Sequence, residues 1–291
     1  MKTTKPLSQM MTEQRLADAW SELLSQPAET TVLRPNAHRL AFADPEFLLR
    51  RDTRGIRIQL EMLKPDLDQA EQGIHSTVVV FGSARFVAPE VAQERLSAAQ
   101  ASGDARALAL AQCDVRNARH YDNARRFARL VAEHGMAQPA SQRLYVCTGG
   151  GPGVMEAANR GAHDAGAPTI GLNIALPHEQ HANAYVTPSL SFKFHYFAIR
   201  KMHFMMRAKA LVAFPGGFGT LDELFEVITL VQTRKAQPVP IVLFDTTYWK
   251  RLLNLDAMLE EGVISPQDLD LLSWADTPED AWALIRDFYG L

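Results

Sequence analysis

Cysteine is scarce. Cys113 and Cys147 are the only two in 291 residues, and they stand in unlike contexts with no CxxC or Cys/His spacing. That argues against a disulfide framework and a structural zinc site, and it fits a reducing compartment. Long apolar runs are missing as well: none approaches the roughly 18 residues that a membrane-spanning helix needs. The opening stretch MKTTKPLSQMMTEQ has no apolar core of the signal-peptide kind, so a cytoplasmic protein is expected. Neither sign of charge dominates. The net charge is -3 and the pI about 6.3, so no global field draws the chain to nucleic acid or to a membrane, and neither partner is expected. A nucleotide would have to be held by a local site. Internal repeats and low-complexity segments are also absent.

What is present is enough apolar sequence for one large domain with an appendage, at 47% hydrophobic. Residues 1–72 carry amphipathic helical patterns (Glu13 to Leu24, Pro45 to Arg51, Ile56 to Leu63) broken by Pro27, Pro35, Pro45 and Pro65. They are expected to form a helical N-terminal extension packed on the core. From residue 73 the pattern changes. Short β-branched or apolar runs at 77–81, 144–148, 169–174, 191–194, 210–214 and 240–244 alternate with helical stretches. The helical stretches fall at about 89–134 (broken or bent near Ser102-Gly103-Asp104), 154–165, 197–208, from the glycine turn after 214 to about Thr233, 246–261 and 278–288, with a short one possible at 266–271. Continuous apolar strands alternating with helices predict an α/β fold: a Rossmann-like, doubly wound parallel sheet over 73–291 with helices on both faces.

In such a fold the strand-to-helix loops share the carboxyl edge of the sheet. Three of them are glycine-bearing: Gly82-Ser83 with Arg85 after the first strand, Gly149-Gly150-Gly151-Pro152-Gly153 after the second, and Pro215-Gly216-Gly217-Phe218-Gly219-Thr220. Glycines there let backbone N–H groups approach a phosphate, and the next helix adds its positive end. Either turn alone is equally a tight turn. Two on one edge favour a phosphate site. Thr220 reads as a helix cap or as a phosphate donor. Glu223 and Glu156 open two helices, where acids suit the dipole but would repel an anion unless they face another part of a ligand. Arg200-Lys201 reads as a solvated basic pair or as a carboxylate or phosphate clamp. Ser83 and Arg85 line the crevice or merely make a turn. His178-Glu179-Gln180-His181 lies in a Pro-bounded loop; His195 and His203 read as packing or rim residues. No metal and no cofactor are expected.

The run Phe214-Pro215-Gly216-Gly217-Phe218-Gly219-Thr220-Leu221-Asp222-Glu223 resembles the PGGxGTxxE motif of the LOG ("lonely guy") proteins, and Arg200-Lys201 the family's upstream Arg-Lys pair. Gly149 to Asn159, with Met155-Glu156-Ala157-Ala158-Asn159, and Phe81 to Arg85 resemble the longer bacterial branch. The likeness covers about 75–260. It implies hydrolysis of the N-glycosidic bond of a nucleoside 5'-monophosphate, AMP or an N6-substituted adenine nucleotide, to free base and ribose 5-phosphate. It implies phosphate on Gly216, Gly217, Gly219 and Thr220, Glu223 at the sugar and Arg200 beside it. It also implies substrate contacts from Glu156, Asn159, Ser83 and Arg85, and a homodimer or larger homo-oligomer. A non-catalytic nucleotide sensor using the same pocket is the alternative. An amino-acid decarboxylase, the family's older label, would need a Schiff-base lysine, and no lysine here stands in a convincing context.

Overall fold

The structure, a computed structural model, describes residues 40–176 and 181–291. The helical pattern at Glu13 to Leu24 and most of the His178 to His181 loop lie outside the described residues. The chain divides into two compact units, Met1–Arg54 and Gly55–Leu291. Of the smaller, a 3-10 turn at Ala41–Ala43 leads into helix α1 (Pro45–Leu48), capped by Asp44, whose carboxylate accepts from the N–H groups of Glu46 and Phe47. Thr53 Oγ1 closes this segment, 2.9–3.0 Å from the carbonyls of Phe47, Leu48 and Arg50.

Helix α2 (Arg54–Glu71) lies in the larger unit from Gly55 onward. It therefore stands with the sheet, although composition alone draws a boundary at 72. Ile58 and Met62 pack on the core, and Asp66 pairs with Arg207 at 2.7 Å.

The sheet has seven strands in the order β4-β3-β2-β1-β5-β6-β7, every pair parallel. They are β1 (Thr77–Phe81), β2 (Tyr145–Thr148), β3 (Thr169–Ile174), β4 (Ser191–Phe194), β5 (Ala208–Ala213), β6 (Ile241–Phe244) and β7 (Leu272–Ala275). Side chains alternate across it. Val78 and Val80 of β1 face a core with α4 (Ala105–Ala137), α5 (Val154–Asp164) and α10 (Pro278–Tyr289). Val79 and Phe81 face another with α2, α6 (Phe197–Met206), α7 (Phe218–Gln232) and α8 (Thr246–Leu252). This is the doubly wound parallel sheet with helices on both faces.

The break near Ser102-Gly103-Asp104 is a true one. Gly103 takes φ 68 at the end of α3 (Pro89–Ser102), and Asp104 caps α4. The stretch read as one helix over 246–261 is two, α8 and α9 (Leu255–Glu260), parted by the new cap Asn254. The 266–271 segment is a 3-10 helix leading into β7, a strand the apolar pattern does not announce. Chain order runs outward from β1 to β4 and then returns to place β5 on the other side of β1. That reversal makes β1/β5 the topological switch point, where such sheets open a crevice.

Candidate active site

A crevice of about 850 Å³ opens at that switch point. Its floor is the three loops expected to converge, and backbone hydrogen bonds lock them together. Ser83 N–H donates to Pro215 O at 3.0 Å, and Val154 N–H donates to Ser83 O at 3.0 Å. Two glycines are required by this closeness. A Cβ on Gly153, at φ +74, would stand 2.3 Å from Ser83 O; one on Gly216 would stand 2.1 Å from Thr220 Oγ1.

The two glycine turns are not equivalent. The turn at 149–153 spends its leading amides internally: Gly150 N–H donates to Thr148 Oγ1, and Val154 N–H, at the start of α5, to Ser83 O. Helix α7 has no such plug. Gly217 is its N-cap, no side chain caps it, and its first backbone bond is Leu221 N–H to Gly217 O. The amides of 218–220 are thus left without an intrahelical acceptor at the positive end of a 15-residue helix. Of the two helix starts, that of α7 offers the longer row of amides, 218–220, since at α5 the first amide, that of Val154, is taken by the neighbouring loop. Thr220 is the third residue of α7 rather than its cap, and it lines the crevice with its side chain almost wholly buried.

Glu223 lies in the second turn of α7, not the first, and is 5% exposed. Arg200 reaches it from α6, Nη2 to Oε1 at 2.5 Å. Burial pushes the Glu223 carboxyl above the usual carboxylate range, and the guanidinium pulls it part of the way back. Arg200 is itself held tightly. Its guanidinium carbon sits 5.5 Å from the Phe197 ring and 5.4 Å from the Phe204 ring, and its Nε is buried with no hydrogen-bond partner. The helix that carries it is anchored by Glu61 of α2, which accepts from the N–H groups of His195 and Tyr196 at 2.9 and 3.1 Å. His203, buried on the same helix against Phe194, is a packing residue.

Ser83, Arg85, Gly149, Gly151, Met155, Arg200, Gly216, Gly217, Gly219, Thr220 and Glu223 all line the crevice. Four expected site residues do not. Lys201 points away, paired with Asp222 at 3.0 Å and Glu226 at 2.7 Å, because it follows Arg200 by one helical step and so faces another way. Glu156 accepts from Tyr121 Oη of α4 at 2.8 Å. Asn159 is fully buried as a brace between strands. Its Oδ1 accepts from Thr148 Oγ1 and Asn183 Nδ2, and its Nδ2 donates to Thr169 Oγ1 and Ile170 O. Gly150 makes the left-handed step of the turn, φ +69, against Asn173.

The crevice has two further walls that motif reading did not supply. On the β3 side Ile174, Leu176 and Phe197 join the expected Met155 in an apolar wall. On the β6 side stand Asn117, Arg119 and His120 of α4, with Asp245, Thr247, Tyr248 and Arg251. Only Asp245, directly after a strand, had a sequence signal that could have been used. Among the described residues no cluster of three or more His, Cys, Asp or Glu could hold a metal, and no helix is long and apolar enough to cross a membrane.

Gly219 offers a sharp test of where phosphate sits. Nothing lies within 4 Å of a Cβ built there, and its φ is ordinary. Gly219→Ala should therefore stabilise the fold by about 0.5–1 kcal/mol through helix propensity. The same methyl would intrude on an anion seated at the α7 amides and weaken its binding by about tenfold or more, roughly 1.4 kcal/mol. Thermal melting and calorimetric titration with ribose 5-phosphate check both signs. A variant that binds as well as the parent would move the phosphate elsewhere.

Comparison with known proteins follows the same lines. A family model described as "Possible lysine decarboxylase" matches residues 155–285. A rice (Oryza sativa subsp. japonica) protein named "Probable cytokinin riboside 5'-monophosphate phosphoribohydrolase" is 31% identical over 143 residues, 48% of this chain and 57% of its own length. An Arabidopsis thaliana cytokinin riboside 5'-monophosphate phosphoribohydrolase is 32% identical over 143 residues, covering 48% of this chain and 65% of that protein. The chain thus spans less than two thirds of the length of these relatives. The resemblance to the LOG proteins is borne out by these matches. Among solved structures, the molybdenum cofactor binding protein of Rippkaea orientalis aligns at a TM-score of 0.44 and 18% identity, over 73% of this chain and 95% of that one. The Moco carrier protein of Chlamydomonas reinhardtii aligns at 0.43 and 21%, over 74% and 98%.

Proposed function

We propose that this protein hydrolyses the N-glycosidic bond of nucleoside 5'-monophosphates, AMP or an N6-substituted adenine nucleotide, releasing the free base and ribose 5-phosphate. The observation that carries the reading is the pairing of an uncapped α7 N-terminus with Glu223 one and a half turns into the same helix, braced by Arg200. A site that only binds phosphate needs no buried acid. One that cleaves a ribosyl bond gains from an anion held near C1' while the phosphate is fixed at C5'.

In this reading the 5'-phosphate takes the amides of 218–220 and the Thr220 hydroxyl. The apolar wall of Met155, Ile174, Leu176 and Phe197 suits the face of a purine. As the C1'–N bond breaks, positive charge grows on the ribosyl ring, and the Glu223 carboxylate opposes it. A water oxygen adds to C1' and the electron pair of the broken bond leaves with the base. Glu223 orients that water and takes its proton, and the departing base takes a proton from solvent, to which Glu223 later returns its own. Arg200 keeps the acid ionised and aimed. Arg85 and Ser83 border the ligand from the β1 loop.

Pairing of two copies belongs to the same reading. Phe197, Met202, Met206, Phe218 and Phe225 leave apolar surface exposed on and beside α6, next to the crevice, and a second copy of the chain is a fitting cover.

The test compares AMP with adenosine. The phosphate anchors the ligand alike in ground and transition states, so kcat/KM should fall about 10²-fold or more, chiefly through KM, when the phosphate is missing. Tight AMP binding with no adenine released would favour the non-catalytic sensor instead.

A further inference from the structure

The β6 side of the crevice has no task in the reaction just described, yet it is tightly built. Tyr248 of α8 donates from Oη to the carbonyl of Gly216 at 2.6 Å. Gly216 is the residue before the N-cap of α7, so this bond fixes the peptide from which the cradle's amides fan out. Tyr248 is held in turn by Asp245, whose Oδ1 accepts from the Tyr248 N–H at 2.9 Å.

Asp245 is an unusual anchor. It takes φ 73 and ψ 82, a left-handed conformation that residues with a Cβ seldom adopt. Its surroundings enforce it. Its N–H donates to Ala275 O of β7 at 2.9 Å, and Thr246 N–H donates to Asp276 at 2.8 Å. From α4, Arg119 Nη2 reaches Asp245 Oδ2 at 2.8 Å and His120 Nε2 lies 3.5 Å from the same oxygen. His120 is buried and stacked on Phe86, and burial pushes it down to about 4, so the charge opposite Asp245 is Arg119's. Behind Tyr248, Trp249 is fully buried and donates to Ala213 O of β5 at 3.1 Å. The turn after β6 is therefore fastened to β5, to β7 and to α4 at once.

We propose that Tyr248 is a positioning residue of the phosphate cradle, set by Asp245 and clamped from α4 by Arg119 and His120. The inference rests on the reading of 216–220 as a phosphate site. It gives the long segment 89–134 a task, since α4 supplies one jaw of the clamp. The physical reason lies in the two glycines. Gly216-Gly217 has little intrinsic conformational preference, so the direction of the following amides must be imposed from outside. Burial also keeps the Tyr248 phenol protonated and therefore a donor. The Gly216 carbonyl faces Tyr248 rather than an incoming anion, so a repulsive oxygen is kept out of the cradle.

The test is Tyr248→Phe in the full chain, which removes one hydroxyl, alongside Asp245→Asn. Calorimetry gives the Kd for ribose 5-phosphate and for AMP, and turnover of AMP gives KM and kcat. The phosphate is bound alike in ground and transition states, so the loss should appear in Kd and KM. Each should rise about fivefold or more in Tyr248→Phe while kcat stays within about twofold, and Asp245→Asn should show the same split. A merely structural hydroxyl would lower the melting temperature without that split. Unchanged affinity in both variants overturns the proposal, and so does a fall in kcat at constant KM, which would make Tyr248 part of the chemistry. If the parent binds AMP without cleaving it, the hydrolytic reading fails and the Kd ratios still decide the role of Tyr248. If the parent binds neither ligand, both fall.

Discussion

Glu223→Gln is expected to lower kcat for AMP cleavage roughly 10²–10⁴-fold, the range that a positioned acid or base supplies. The substitution keeps shape and hydrogen-bonding capacity while removing the charge. Glu223 is buried beside Arg200, so the amide oxygen can still accept from the guanidinium, and the fold should survive with little change in melting temperature. KM should change far less than kcat, because the carboxylate acts on charge that develops only as the glycosidic bond breaks. A Gln variant retaining more than about a tenth of parental kcat would reassign the anion that stabilises the sugar.

Arg200→Met should have the next largest effect, and its size depends on pH. The parental carboxyl already lies above its ordinary range because burial outweighs the guanidinium. Without Arg200 nothing offsets burial, and the folded-state pKa of Glu223 rises further above its unfolded value. A raised pKa favours the protonated form in the folded state. Stability is therefore fully present below the unfolded pKa and is lost as pH rises through the folded one. Arg200→Met should melt close to the parent near pH 4 and well below it at pH 8. Keeping the acid ionised and unpaired would cost about 3–5 kcal/mol, and protonation limits the actual loss to less than that. Activity moves oppositely: the acid limb of the pH–rate profile should shift to higher pH, since turnover needs the carboxylate. A variant whose acid limb stays in place would mean that Arg200 contacts the ligand without tuning Glu223.

Much of this was legible from the chain. The five strands β1, β2, β3, β5 and β6 announce themselves because central parallel strands are buried on both faces and read as continuous apolar runs, as Val78-Val79-Val80 does, whereas the edge strand β4, Ser191-Phe192-Lys193-Phe194, alternates exposed and buried residues. β7 does not announce itself. Leu272-Ser273-Trp274-Ala275 lies at the sheet's edge, half exposed, and has no such run. The glycine turns were legible from their place after strands, but the Arg200–Glu223 pair came from the motif resemblance alone: spacing left Arg200-Lys201 open between a solvated pair and a clamp, and put Glu223 a turn too early. The place of Glu156 and Asn159 outside the crevice lining has a plain cause. Sequence shows that they follow a glycine turn, but not that Tyr121 of α4 claims the Glu156 carboxylate, nor that Thr148 and Thr169 claim the Asn159 amide. Arg119, His120 and Tyr248 were invisible for the opposite reason. Only the packing of α4 and α8 around the sheet brings residues so far apart in sequence to the wall of one crevice.

The central claim is that one helix start holds the phosphate while an acid on the same helix acts at the ribose. Its most direct test is quantification of both products from AMP with parent and Glu223→Gln side by side. The account predicts adenine and ribose 5-phosphate appearing one for one with the parent and neither with the variant. Release of adenosine and inorganic phosphate instead, or parent-like adenine release by Glu223→Gln, would contradict it.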